Sequence, residues 1–584
     1  MGEAAWRRRF RAARMSLPGW ARDDPERLLY ASNAGGKWEL YAWDRGADTH
    51  RQVTDCPEGT LAGGLDPSGR TIWWFDDDKG NEFGRWMVEP FEGGESALAA
   101  PDLPAAYGAG LSVAGSFAVI GSSDDEGSKI HLVRDGQGSG LLYAHREDAG
   151  VAGLSRDEDL VCIQHSEHGD SRHPAVRVLG LDGEPLAELY DGPGKGLWPS
   201  GWSRVPGDRR VLVVHERQDL PRPMIWLPES GETSEFDLDL PGEVDAEWYP
   251  DGSAVLLLHD HRGRVELFRL GLDDGELQRL EVEPGTVAGA RVRPDGEVWY
   301  AWTRSSTPTQ IRADGRVLVR PPGEQAPPGV AYSDHDVQGV HVFLAEPPEA
   351  ARPHPTLFMV HGGPTAHDQD DFRPSVQAWV DHGFAVVLVN YRGSTGYGIA
   401  WRDALEGNPG LTELEDVAKV HDWVIREGIA DPARVVLSGG SWGGYVTLLG
   451  LGVQPERWSL GIASVPVADY IAAFEDEMEP LKAFDRSLFG ASPDEDPERY
   501  RLRSPITYVD RVRVPVMILA GENDPRCPIR QIDNYLERLS ELGAPHEVYR
   551  YDAGHGSLRI DETIHQVEAQ IAFASSHLGT TGPT

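Results

Sequence analysis

Over its first 320 or so residues the chain repeats one phrase of polar and apolar positions. A turn signal of Asp, Pro or Gly leads into a short apolar, β-branched or aromatic run: "DPERLLYAS" at Asp24, "DPSGRTIWWF" at Asp66, "LSVAGSFAVIG" at Leu111, "LSRDEDLVCIQ" at Leu154, "WSRVPGDRRVLVV" at Trp202, "WYPDGSAVLLL" at Trp248 and "VRPDGEVWYAW" at Val292. Most units continue with a second run of opposite alternation, such as "KWELYAWD" and "RVELFRLGLDDGE", and then another turn. The starts lie roughly 40 to 50 residues apart, which is the length of a propeller blade of four short strands. The pattern therefore predicts a seven-bladed β-propeller over residues 20–322. A pair of packed β-sheets is the rival arrangement, and the even spacing disfavours it.

At "RPPGEQAPPG", residues 320–329, the composition turns to proline and glycine, and the pattern after it changes. "HPTLFMV", "GFAVVLVN", "ARVVLSG" and "VPVMILAG" are continuous apolar runs separated by helical stretches such as "LTELEDVAKVHDWVIREG". Strands buried on both faces belong to a parallel sheet with helices on either side. Residues 323–584 are thus expected to form a doubly wound, mostly parallel α/β-hydrolase domain. Ahead of the propeller, residues 1–19 place Trp6, Phe10 and Ala13 on one helical face, so a short helix docked on the hydrolase domain is expected. A basic helix lying on a membrane is the alternative reading.

At 584 residues the chain exceeds a single core, which stops growing near ~250–300 residues, so two domains agree with its length. With 40% hydrophobic residues and 18 tryptophans it has material for packed interiors throughout. The formal net charge of −39 repels nucleic acid and anionic membranes, and neither partner is expected. Such acidity otherwise serves solubility or adaptation to salt, or else favours cationic substrates. Cys56, Cys162 and Cys527 are far apart and odd in number, so they suggest neither a disulfide framework nor a zinc site. No apolar run approaches the ~18 residues of a membrane span, and the amino terminus lacks the apolar core of a signal peptide. A cytoplasmic location is expected.

One stretch carries chemistry. "GGSWGGY", residues 439–445, stands between the strand-like "RVVLS" and the helical "YVTLLGLGV". It holds Gly-x-Ser-x-Gly in the context of a sharp strand-to-helix turn, which presents Ser441 as a nucleophile. An activated serine needs a base, and the base needs an anion to fix its tautomer. In this fold they follow in the order Ser, Asp or Glu, His, each after a later strand. "ENDPRCP" after "VPVMILAG" supplies Asp524, and "AGHGS" after "HEVYRYD" supplies His555. The backbone N–H of Trp442 and that of Gly363, in "LFMVHGGPTAHD", are the expected oxyanion donors. His361 in that loop reads as a brace for its own turn. This chemistry calls for no metal or organic cofactor.

With these residues in hand, the chain resembles the prolyl oligopeptidase family of serine peptidases. "HGGP", "NYRGSTGYG", "GGSWGGY", "GENDPRCP" and "AGHG" occur in family order, and "NYRGSTGYG" is the most specific of them. The resemblance implies Ser441, Asp524 and His555 as the triad, and a propeller that admits only small substrates. His361 stands where the proline-specific branches place a tyrosine, so "HGGP" and Arg526 look more like the acylaminoacyl peptidase and dipeptidyl aminopeptidase branch. By similarity "SVPVADY" walls the pocket for the residue at the cleavage site, making Val467 and Tyr470 candidate contacts, with ordinary core packing as their other reading. Glu82 in "DDDKGNEFGRW" is a candidate to hold a substrate amine, with a solvated acidic loop as its alternative. The paired glutamates that bind a free amino terminus in dipeptidyl peptidase IV-like members have no counterpart here. A short peptide or small amide is the implied substrate, and a homo-oligomer the implied assembly. An amidase or esterase acting on a small natural product stays open, as does a propeller interaction protein with a decayed hydrolase.

Overall fold

The computed structural model describes residues 3–134 and 138–579. Its amino-terminal part is a propeller of antiparallel sheets, and its carboxy-terminal part an α/β domain. Five four-stranded sheets cover residues 19–52, 149–189, 197–235, 243–279 and 286–319, each built from consecutive strands. Between the first two of these, residues 63–145 form one continuous eight-stranded sheet. The expectation of seven separate blades is corrected here. Strand Phe83–Pro90 pairs with Ala106–Val113 through Phe83 opposite Tyr107 and Gly84 opposite Ala106, joining two of the repeat units by backbone. The rings of Phe83 and Tyr107 meet edge-on with centroids 5.1 Å apart and reinforce the join.

Elsewhere no ladder joins neighbouring sheets, which meet through side chains and single backbone bonds such as Val244 N–H to Pro221 O at 3.2 Å. Val176 and Val178 of one sheet pack with Leu197, Val211, Met224 and Trp226 of the next. Removing one such side chain from water stabilises the fold by about 1.5–3 kcal/mol. The ring closes where Leu28, Tyr30 and Trp43 of the first sheet pack against Trp299, Ala301 and Ile311 of the last.

The hydrolase sheet has eight strands in the spatial order Ser333–Val337, Val340–Ala345, Ala385–Asn390, His354–Val360, Ala430–Gly440, Leu460–Ser464, Val516–Gly521 and His546–Tyr551. The first two pairings are antiparallel and the rest parallel. The central runs "AVVLVN" and "VMILAG" are buried along their whole length, as strands covered on both faces must be. The helix Ala5–Arg11 lies on helices Pro374–Asp381 and Ile560–Leu578, where the Trp6 ring meets His382 and Arg9 pairs with Asp381 at 2.6 Å. Trp6 and Phe10 face this contact, but the helix ends at Arg11, so Ala13 is not part of its face. No helix among the described residues is long and apolar enough to cross a membrane.

Two of the contacts that join the domains differ in their chemistry. On one side lies a buried charge network. Arg172 of the propeller pairs with Asp403 and Glu406, each at 2.6 Å, and Arg402 pairs with the fully buried Glu216. His173 bridges Asp170 at 2.9 Å and Asp403 at 3.2 Å. Burial opposes charge on this imidazole, but hydrogen bonds to Asp170 and Asp403 outweigh it and raise its pKa to about 9. On the other side the propeller grips the segment Asp552–Ile560 largely by backbone. Trp38 N–H donates to Leu558 O at 3.0 Å and Ile560 N–H to Gly36 O at 2.9 Å, while Lys79 pairs with Asp552 at 2.6 Å. A Cβ at Gly554 would stand 1.8 Å from Gly80 O, so only glycine allows this approach.

Candidate active site

The strand Ala430–Gly440 runs into the helix Trp442–Val453 through a single residue, Ser441, at φ 54° and ψ −119°. A non-glycine residue held there costs on the order of 1–3 kcal/mol, and the surroundings must over-determine it. They do so by close packing. Ser441 N–H donates to Ser464 O at 2.9 Å, and a Cβ on Gly443 would fall 2.0 Å from Val360 O. The Trp442 indole, buried below the turn, donates to Glu413 Oε1 at 2.9 Å. Burial pushes the Glu413 carboxyl up to about 8, against the pull of that hydrogen bond.

Asp524 and His555 follow the strands Val516–Gly521 and His546–Tyr551, two neighbours at the same sheet edge. Backbone bonds from Glu522 N–H to Tyr551 O and from Asn523 N–H to Ala553 O, both 3.0 Å, fix the two loops to one another. Asp524 is buried. Its Oδ1 accepts the N–H groups of Arg526 at 2.8 Å and Cys527 at 3.0 Å, and its Oδ2 lies 2.8 Å from His555 Nδ1. An ionised carboxylate only accepts, so Nδ1 carries the proton and Nε2 is left as the base. The end of the strand Leu460–Ser464, which neighbours the elbow strand, meets the histidine loop through a small apolar cluster of Val465, Tyr551 and Ala553. Among the described residues no hydrogen bond joins Ser441 Oγ to His555. Such bonds are often long before a substrate is bound and tighten in the complex.

Gly362 lies against the elbow, its Cβ direction 3.4 Å from Ser441 Cβ and 3.9 Å from Trp442 N. Neither Trp442 N–H nor Gly363 N–H donates to another backbone group among the described residues, so both are free to receive an anion. His361 braces this loop. Its Nδ1 lies 2.8 Å from Gly362 O, its Nε2 2.8 Å from Ser394 Oγ, and its ring stacks on Tyr391 at 4.2 Å.

The other candidate residues are placed differently. Val467 and Tyr470 are both buried in the hydrolase core, where Tyr470 meets the rings of Tyr445, Phe489 and Tyr500. Glu82 is engaged by Arg526 across the domain boundary, Oε1 to Nε at 2.7 Å and Oε2 to Nη2 at 3.0 Å. That pair lines a cavity of about 700 Å³ between the domains, together with Tyr107, Met478 and His555. A second interdomain cavity, of about 690 Å³, is walled by propeller carboxylates Glu216, Glu243, Asp245 and Asp260 and by Thr365 and Arg402 of the hydrolase domain. Two clusters bring three possible metal donors together: Asp524, Cys527 and His555, and His173, Asp403 and Glu406. In the first, Asp524 and His555 are hydrogen-bonded to one another, and in the second the carboxylates pair with Arg172. Neither is arranged as an open ligand set.

Residues 370–581 match the model of the "Prolyl oligopeptidase family". The match falls within the hydrolase domain and covers a little over a third of the chain. Dipeptidyl peptidase family member 6 of Caenorhabditis elegans is 33% identical over 267 residues, 41% of this chain and 36% of that protein. The acylamino-acid-releasing enzyme of Rattus norvegicus is 31% identical over 278 residues, 45% of this chain and 36% of that one. The chain thus spans little more than a third of the length of these two curated relatives. Among solved structures, a puromycin-hydrolyzing peptidase of Mycobacterium tuberculosis superposes with a TM-score of 0.82 at 20% identity, covering 99% of this chain and 96% of its own. The acylaminoacyl peptidase of Pyrococcus horikoshii does so with a TM-score of 0.72 at 16% identity, covering 99% and 98%. At such identities the likeness is one of fold, and it extends over both domains.

Proposed function

We propose that the chain is a serine peptidase of the acylaminoacyl peptidase type, hydrolysing short peptides through an acyl-enzyme on Ser441. The observation that carries this reading is the Asp524–His555 pair at 2.8 Å on the sheet edge that also presents the strained Ser441 turn. In the proposed cycle His555 Nε2 takes the proton of Ser441 Oγ as the oxygen adds to the substrate carbonyl. The resulting oxyanion is held by the Trp442 and Gly363 N–H groups, each such donor contributing on the order of 10²–10³ in rate. His555 returns the proton to the departing amine, and a water then repeats the sequence on the acyl-enzyme. Asp524, fixed by two backbone N–H groups, stabilises the imidazolium and does not itself take the proton.

The interdomain cavities are of a size for a few residues of peptide, and the propeller screens out folded proteins. Val467 and Tyr470 wall the pocket beside Ser441 in this reading. Glu82 binds a substrate amine by exchanging Arg526 for it. The three cysteines are buried and free, which suits a reducing, cytoplasmic setting. An aminoacyl amide, as the name of the puromycin-hydrolyzing relative suggests, is a substrate the same triad serves.

The test is labelling with a fluorophosphonate followed by peptide mapping. The adduct is expected on Ser441 and absent from Ser441→Ala, with hydrolysis of acylated amino acid anilides falling by at least ~10⁴-fold in that variant. Label on any other residue, or anilide hydrolysis unchanged in Ser441→Ala, would falsify the assignment.

A further inference from the structure

Behind the Asp524 loop lie two acidic side chains that have no counter-ion. Glu477 caps the helix Tyr470–Asp476, and Asp485 sits in the helix Glu479–Phe489. Each is only 5% exposed. Neither carboxyl makes a hydrogen bond or an ion pair among the described residues, and Glu477 Oε1 and Asp485 Oδ2 are fully buried without a partner. The hydroxyl of Tyr470, a residue 1% exposed, is also buried and unpaired. Such groups are rare, because each forfeits the hydration it had in the unfolded chain.

The three converge. Glu477 follows Tyr470 by seven residues, two helical turns, and so shares its face. Asp485 precedes Phe489 by one turn on one face of its helix, and the Phe489 ring lies 5.0 Å from that of Tyr470. Burial first, and then the neighbouring carboxyl, raises the pKa of Glu477 well above the usual range. The nearest cations are committed elsewhere, Lys482 to Glu479 at 2.8 Å and Arg486 to Glu147 of the propeller at 3.0 Å. Aromatic rings complete the surround: Phe489 stacks on Tyr500 at 4.1 Å, and Phe474 meets Tyr500 at 5.9 Å.

Tyr470 ties this group to the underside of the nucleophile turn. The Tyr470 ring is 6.5 Å from that of Trp442, the residue after Ser441. Met478, adjacent to Glu477, donates its N–H to Pro525 O at 3.1 Å and lines the cavity that also reaches His555. Carboxyls without cations, ringed by aromatic faces, suit a positive guest on two counts, since its charge favours the ionised form that burial alone disfavours and the ring faces attract it.

We propose that Glu477, Asp485 and Tyr470 form the floor of a subsite for a cationic side chain, a guanidinium or an ammonium, on the substrate residue whose carbonyl Ser441 attacks. The proposal rests on the serine peptidase reading. The guest supplies the missing counter-charge and fills the unused acceptors, which an uncharged side chain leaves unpaired.

The experiment compares kcat/KM for N-acetyl-arginine, N-acetyl-citrulline and N-acetyl-phenylalanine p-nitroanilides. Citrulline keeps the shape of arginine and removes its charge. The arginyl substrate is expected to exceed the citrullinyl one by at least about tenfold, and that ratio is expected to fall towards one in the Glu477→Gln, Asp485→Asn double variant. A wild-type ratio near one, a preference for the uncharged substrate, or a ratio untouched by the double variant overturns the subsite. Should the double variant not fold, benzamidine and benzamide are compared as competitive inhibitors of the wild type, where inhibition by both alike overturns the subsite and selective inhibition by benzamidine supports it. Should no anilide be turned over and Ser441 resist the fluorophosphonate, the peptidase reading is what fails. The subsite is then read by calorimetry with benzamidine: binding lost in the double variant supports it, and no binding to the wild type removes it.

Discussion

Two of the contacts by which the propeller holds the hydrolase domain have opposite chemistry. At Arg172, His173, Arg402 and Asp403 the join is a buried net of charges, in which every member depends on another. At Trp38, Gly80 and Leu558 it is backbone against backbone, with charges only at the exposed margin. The first join is all-or-none, because a buried ion that loses its partner is worse off than one never buried. The second join tolerates loss of a charge but not a change of shape, and it acts directly on the segment that carries His555. The first contact therefore adds to the hold between the domains, while the second bears on where the imidazole sits.

The largest effect is expected from breaking the charge net. Asp403→Asn leaves Arg402, Arg172 and His173 short of a partner and should cost about 3–5 kcal/mol, read by denaturant unfolding. Next is the shape contact. Gly554→Ala should lower kcat/KM by about 10²-fold through displacement of the His555 loop, because a shift near 1 Å is enough to misalign a base, while the unfolding midpoint moves little. A Gly554→Ala enzyme with unchanged kcat/KM would mean the propeller does not position the histidine. The smallest effect is that of pH on the net. His173 has a folded pKa above its unfolded one, so its contribution is complete below about 6.5 and is lost as the pH rises through about 9. The melting temperature should drop by ~2–4 °C more across that window in the wild type than in His173→Asn.

How far these regions can be read in the sequence differs in the same way. The proposed triad is legible because each member stands just past the end of a sheet strand and is announced by local marks, glycines around Ser441 and His555 and the run "VMILAG" before Asp524. The repeating strands of the propeller are legible for the same reason, since alternation is a local property. The fusion of two repeat units through Phe83 and Tyr107 is not, because nothing at either position distinguishes a ladder partner from a surface aromatic. Glu82 carries no sign that Arg526 will meet it, with 444 residues of chain between them. Glu477 and Asp485 lie in a stretch rich in acids that reads as a solvated surface, and only packing shows that these two turn inward. Glu413 is hidden likewise. Its helix has a polar pattern, and its burial under Trp442 belongs to tertiary structure.

The propeller's junctions are unequal, and the inequality has a mechanical consequence. Between Phe83 and Tyr107 two repeat units share a ladder of backbone hydrogen bonds, and the remaining neighbours are at least tethered by the chain running from one to the next. The junction of Tyr30 and Trp43 with Trp299 has neither, since its two sheets come from opposite ends of the ring and no strand crosses between them. Side chains alone fasten that clasp, the apolar cluster and the Arg293 guanidinium that reaches Pro25 O and Glu26 at 3.2 Å each, so a ring pulled or warmed parts there at the least cost, and it re-forms without any strand having to be rethreaded.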